Sequence, residues 1–159
     1  IQREQKGISH ALLCAEEFIS PGDTVFFILG DNFFENNPCR SLDIHEIANY
    51  RGSYIFSQNV KNPKEFGVAE LDTENNVISI EEKPNNPKSS QAVVGFYIYD
   101  DTVMSKIKTL KPSQRGEYEV TDLNNLYIEE NICRNVNIEG WWIDAGTPDR
   151  IHELEEKLI

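Results

Sequence analysis

The sequence predicts an α/β domain, with parallel strands first and mixed or antiparallel strands later. The apolar run Thr24–Leu29, without polar alternation, reads as a strand buried on both faces, and Ala92–Tyr99 is another strand run. Segments of helical periodicity lie between them, and short breaks rich in Pro, Gly and Asn separate the two kinds.

In order along the chain, Ile1-Gln2 reads as the end of an earlier element. Gly7–Ile19 predicts one helix with Ile8, Ala11, Leu12, Ala15, Phe18 and Ile19 on its apolar face. Ser20-Pro21-Gly22 ends it, and the strand Thr24–Leu29 follows, exiting through Gly30. Asn36-Asn37-Pro38 is a breaker, and Ser41–Asn49 is a short helix candidate. Ser53–Gln58 reads as a second buried strand. Phe66–Leu71 and Val77–Ile80 flank an Asn-rich turn and predict an antiparallel hairpin. After the strand Ala92–Tyr99, Asp101 is placed to cap a short helix to Leu110. Thr121 or Asp122 would cap another through Glu130. Val136 and Ile138 suggest a short strand. Trp141–Thr147 is an apolar run ending in Asp144, and Pro148 opens a last helix with Ile151, Leu154 and Leu158 on one face.

Composition narrows the function. The chain has 159 residues, 39% of them hydrophobic, enough for one domain with a substantial core. The net charge of -12 argues against non-specific nucleic-acid binding, which needs clustered Lys and Arg. No run is long and apolar enough to span a membrane as a helix. The three cysteines, Cys14, Cys39 and Cys133, are widely spaced without a C-x-x-C pair, which speaks against structural zinc and for a reducing cytoplasm. His10, His45 and His152 form no ligand spacing. The chain opens on Ile-Gln-Arg and holds one methionine, Met104, so we expect a fragment of a longer protein.

Candidate chemistry sits at strand ends. Gly30-Asp31-Asn32 and Asp144-Ala145-Gly146 each put a carboxylate beside glycine at the end of an apolar run. Ligands of open α/β sheets sit at such ends. Two carboxylates can share one Mg²⁺, which leaves its other positions to water and phosphates. Either Asp is equally at home in a plain turn or helix cap.

The stretches G-I-S-H-A-L (7–12), L-G-D-N (29–32), F-G-V-A-E-L-D (66–72), E-E-K-P (81–84), V-V-G-F-Y (93–97), R-G-E-Y-E-V-T-D (115–122) and W-I-D-A-G-T-P (142–148) follow in an order and spacing that resembles the sugar-1-phosphate nucleotidylyltransferases. The likeness is to the branch using glucose 1-phosphate and dTTP. It implies a Rossmann-like nucleotide-diphospho-sugar transferase fold, a mixed sheet flanked by helices, with residues 1–159 as the central and C-terminal part of one domain. The family's opening strand, Gly-rich loop with Thr and Arg, and following Lys have no counterpart here.

The resemblance implies a Mg²⁺-dependent reaction between a nucleoside triphosphate and a sugar 1-phosphate that yields a nucleoside-diphosphate sugar and pyrophosphate. Asp31 and Asp144 would be the metal ligands. Lys83 and Arg115 would be the catalytic cations on the sugar phosphate, Lys83 as a point charge and Arg115 as a fork. Glu82, rather than Glu81, would accept hydrogen bonds from sugar hydroxyls, with Glu117 as a weaker partner. Asn32 would contact sugar or phosphates, and Gly67 and Val93 would bring backbone close to the sugar. Gln2 and Gly7 would line the base pocket. Tyr97 is expected to pack rather than bind. A non-catalytic sugar-phosphate-binding relative is the competing reading, and family members often form dimers or tetramers.

Overall fold

In the computed structural model, which describes residues 1–159, helices α1 (Ile8–Leu13), α2 (Ile44–Asn49), α3 (Val103–Ile107), α4 (Val120–Glu129) and α5 (Pro148–Leu158) accompany eight strands. These are β1 (Val25–Ile28), β2 (Asn32–Phe34), β3 (Ser53–Asn59), β4 (Gly67–Leu71), β5 (Val77–Glu82), β6 (Gln91–Tyr99), β7 (Cys133–Asn137) and β8 (Trp142–Asp144).

Strand β6 is the axis. The main sheet runs β5-β4-β6-β3-β7, and β1 also pairs with β6. Side chains of a strand alternate between faces, and β6 separates two cores in this way. Tyr97 and Tyr99 join Leu12, Ile55, Met104, Leu123 and Tyr127 under α1, α3 and α4. Ala92, Val94, Phe96 and Ile98 join Ile47, Phe56, Phe66, Val136 and Trp142 on the other face.

One edge of β6 changes partner along its length. β1 covers Phe96 to Tyr99, from Ile28↔Phe96 to Val25↔Tyr99. β4 meets the same edge at Val68↔Ala92. Val93 lies in the interval, and the chain leaving β1 at Leu29–Asn32 crosses it.

Several expectations are corrected. β1 is an antiparallel strand with β6 as its one partner, and only β3 and β7 pair in parallel. Its unbroken apolar run predicts burial on both faces. Only Val25 and Phe27 pack on the core, while Phe26 and Ile28 are 48% and 55% exposed. The helix expected over 7–19 stops at Leu13, and Phe18, expected on its apolar face, is exposed. Its continuation tightens into a 3-10 turn at Glu16–Phe18, through i→i+3 bonds from Ala15 N–H to Leu12 C=O and from Phe18 N–H to Ala15 C=O. Ser41–Leu42 stay outside α2, because Asp43 is the N-cap and accepts from the N–H groups of His45 and Glu46. At α3 it is Asp100, not Asp101, that receives the Thr102 N–H; Asp101 accepts from Gly22 N–H and pairs with Arg51. Helix α4 begins at Val120, with Glu119 rather than Thr121 or Asp122 at the N-cap. On α5 Leu154 is buried, whereas Ile151 and Leu158 are exposed. Unforeseen was the two-stranded ribbon of β2 and β8. The hairpin β4–β5 forms as expected, its turn held by Asp72, which accepts from Glu74 and Asn76 N–H.

Candidate active site

The β2–β8 ribbon sets Asn32 opposite Asp144 and Phe34 opposite Trp142. At its end the Ala145 N–H donates to the Asp31 carbonyl at 2.7 Å. The two candidate metal carboxylates therefore emerge side by side. A Cβ built on Gly146 would lie 3.1 Å from Asp144 Oδ1 and 3.6 Å from Asp31 Oδ2, so both acids converge on the space that this glycine leaves open. The Gly146 N–H donates to Asp144 Oδ1 at 3.1 Å.

Asn32 has a different task from the one expected. It is 8% exposed. Its Oδ1 accepts from Gly95 N–H at 2.8 Å and from Trp142 Nε1 at 2.7 Å, and its Nδ2 donates to Asp31 Oδ1 at 2.9 Å. The amide thus ties β6 and β8 together from inside the protein and aims Asp31. One Nδ2 N–H remains without a protein partner.

Lys83 reaches the same place from the end of β5. Its N–H donates to the Phe66 carbonyl at 3.0 Å, and its φ is 44°. A positive φ is uncommon for a residue with a Cβ, and more so before a proline, which favours extended backbone. Such conformations are held by their surroundings and cluster at functional sites. Asp31, Lys83 and Asp144 line one cleft of about 570 Å³, together with Lys64, Glu65, Phe66, Gly146, Thr147 and Arg150. The ion pairs of the structure involve neither Asp31 nor Asp144. Two uncompensated carboxylates beside an open space fit a hard divalent cation that takes two protein oxygens. A closed cage of three or more acids, His or Cys does not occur.

Glu82 and Gly67 continue along the β4–β5 pair from Lys83. Glu82 points inward and Glu81 outward, as alternation requires. Glu82 Oε2 accepts from Thr121 Oγ1 at 2.9 Å. Gly67 sits opposite Glu82 in the β4–β5 register, and a Cβ there would lie 3.3 Å from Glu82 Oε2. Val93 is half-buried on β6 nearby. Tyr97 is buried, packed against Phe27 and Tyr99, and burial beside the Glu82 and Asp144 charges pushes its phenol well above the usual range.

Arg115 departs from expectation. It does not line the cleft. Its guanidinium makes three hydrogen bonds to Glu119, at 2.9 to 3.2 Å, and stands 3.9 Å from both Glu82 and Glu117. Glu119 thus takes the Nε and Nη2 donors of the fork that was expected to hold phosphate, and Nη1 makes no hydrogen bond to the protein. Glu117 is itself on the surface beside it.

Gly7 has φ 91°, and a Cβ on it would meet the Tyr118 backbone at 2.7 Å and Glu117 Cβ at 3.0 Å. Its close approach is thus to the 117–118 strand of backbone, which it brings against α1. Gln2 Nε2 donates to the Gly7 carbonyl and contacts His10 Nδ1, both at 3.1 Å. Both residues lie away from the carboxylate cleft.

Sequence reasoning missed Lys64, Phe66, Thr121, Gly146, Thr147 and Arg150. Thr121, Phe66, Gly146 and Thr147 lay within quoted motifs but carried no distinctive chemistry. Lys64 and Arg150 lay outside every motif and enter the cleft only through tertiary packing.

A mixed sheet whose central strand changes neighbour thus brings two carboxylates and a lysine to one cleft. The chain belongs to the nucleotidyl transferase family, whose profile matches residues 1–159. Among curated relatives, a glucose-1-phosphate thymidylyltransferase of Neisseria gonorrhoeae is 41% identical over 156 residues, covering 96% of this chain and 54% of the relative. Another from Mycolicibacterium smegmatis is 39% identical, covering 98% of this chain and 54% of the relative. The chain thus spans about half the length of these relatives. A Bacillus anthracis protein assigned as a candidate glucose-1-phosphate thymidylyltransferase, solved with sucrose, superimposes with a TM-score of 0.87 at 41% identity, over 98% of this chain and 62% of that one. A UDP-glucose pyrophosphorylase solved with UDP-glucose shares the fold at 22% identity, with a TM-score of 0.85, over 99% of this chain and 63% of that one. The fold is that of the nucleotide-diphospho-sugar transferases.

Proposed function

We propose that the protein, as its complete gene product, transfers a nucleotidyl group from a nucleoside triphosphate to a sugar 1-phosphate, releasing pyrophosphate. dTTP and glucose 1-phosphate are the substrates we infer, from the names of its relatives. The convergence of Asp31, Lys83 and Asp144 on one cleft carries this reading.

In the reaction an oxygen of the sugar phosphate forms a bond to the α-phosphorus, and the bond from that phosphorus to the bridging β-phosphate oxygen breaks. No protein nucleophile is required. The work is positioning and charge neutralisation. Asp31 and Asp144 are the residues that would hold Mg²⁺, which supplies a clamp on phosphate oxygens. Asn32 keeps Asp31 aimed. Lys83 brings a positive charge to the same space, and Glu82, held by Thr121, offers an oxygen to sugar hydroxyls. A reducing cytoplasm suits three free cysteines, and homo-oligomeric assembly is part of the same reading.

The test is pyrophosphate release by the complete gene product with glucose 1-phosphate, dTTP and Mg²⁺. Release that requires all three supports the reading. Sugar-phosphate binding without release, whatever the nucleotide, would replace it with a non-catalytic binding relative.

A further inference from the structure

The cleft that holds Asp31 and Asp144 contains an arginine, but not the one the sequence pointed to. Arg150 lies in the first turn of α5 and lines the cleft. Its guanidinium carbon is 5.5 Å from the centroid of the Phe66 ring, so an aromatic face supports it. Its side chain is 31% exposed and lies between this cleft and a second cavity lined by Val60, Trp142 and Glu153.

The hydrogen bonding of the two arginines differs in kind. Arg115 spends three hydrogen bonds on Glu119 and is flanked by Glu82 and Glu117. Arg150 makes one hydrogen bond, from Nη2 to Glu65 Oε2 at 3.0 Å, with Nη1 3.7 Å from Glu153. A guanidinium has five N–H donors, so most of this fork is uncommitted. Arg150 borders the same cleft as Lys64 and Lys83, with the two free carboxylates also on the wall. A phosphate between a carboxylate-bound divalent cation and a guanidinium fork would be neutralised from two sides.

We infer that Arg150 is a phosphate-binding residue of the cleft, and that Glu65 competes with the phosphate for its guanidinium. The inference rests on the nucleotidyl-transfer reading of the same site and adds to it the group that grips a substrate phosphate. A purely structural arginine would instead tie α5 to the turn at Pro63–Glu65 and do no more.

The test uses the complete gene product and Arg150→Gln, Arg150→Lys and Glu65→Gln. Binding of inorganic pyrophosphate in Mg²⁺ is followed by calorimetry, and pyrophosphate release by steady-state kinetics. Arg150→Gln is expected to weaken pyrophosphate binding, and to raise KM for one phosphate substrate, about tenfold or more, while kcat changes by less than about threefold. Arg150→Lys, which keeps the charge and loses the fork, falls between. Glu65→Gln tightens binding. If Arg150→Gln leaves binding and KM unchanged in an active enzyme, or if Glu65→Gln weakens binding as much as Arg150→Gln does, the inference is overturned. An inactive wild type whose pyrophosphate binding still depends on Arg150 would overturn the transfer reading and retain the phosphate-binding role.

Discussion

The side chain of Asn32 occupies the volume where a Cβ on Gly95 would stand: an added carbon would lie 2.6 to 2.8 Å from all three atoms of the amide head. The same amide accepts the Gly95 N–H and donates to Asp31. The absence of a side chain on β6 is therefore what allows a buried amide to orient a carboxylate at the surface.

Gly95→Ala should consequently harm both stability and function. The methyl group pushes Asn32 aside, which strains a packed core and breaks buried hydrogen bonds, at a cost of about 2–4 kcal/mol. Urea unfolding measures the loss. Turnover of the complete gene product should fall with it, because Asp31 loses its positioning bond; a variant as stable and active as the wild type would remove this role for Gly95.

Asp144→Asn should separate chemistry from stability. The asparagine keeps an oxygen for the Gly146 N–H but loses the charge that suits a divalent cation. Mg²⁺-dependent turnover is expected to drop about a hundredfold or more, with the thermal midpoint nearly unchanged. Chelation of Mg²⁺ should abolish the wild-type rate in the same assay.

Lys83→Asn should be inactive yet at least as stable as the wild type. Asn tolerates positive φ better than Lys, and the conformation at φ 44° costs on the order of 1 kcal/mol or more. Equilibrium unfolding should show a gain of about 0.5–1 kcal/mol, while turnover falls about a hundredfold or more. A large loss of stability would show that the lysine, rather than its surroundings, holds this turn.

Cys133 provides a pH signature. Burial raises its thiol from the usual value of 9.0 to about 11. The native state then keeps a proton that the unfolded chain releases, so stability falls as pH rises. This contribution is intact below pH 9 and is lost as pH climbs toward about 11. Unfolding measured across that window should fall less steeply in Cys133→Ala than in the wild type. At pH 8 the native thiol should resist alkylation, since the thiolate is the reactive form.

The strands β3, β4, β5 and β6 were legible because their residues alternate or run apolar over a length that only a strand fits. Glu82 over Glu81 followed from the same alternation. Asp31, Lys83 and Asp144 were legible as charged residues placed at strand ends, and the order of the motifs tied them together. β1 was misjudged because an unbroken apolar run looks the same in a central strand and in an edge strand with one face half open. The neighbours of a strand are not written in the strand.

Other features were decided by tertiary structure alone. Asn32 reads as a polar residue beside a candidate ligand, and only the arrival of Gly95 and Trp142 from distant segments buries its amide. Arg115 and Arg150 are chemically identical in sequence. Their difference arises because Glu82, Glu117 and Glu119 surround the first, whereas Phe66 and a single bond to Glu65 hold the second at the cleft. Residue type and spacing determined which charges this protein owns and the strand ends on which they sit. Packing between remote segments decided which of those charges are spent on one another and which are left for a ligand, because an ion pair depends on distance in space and not along the chain.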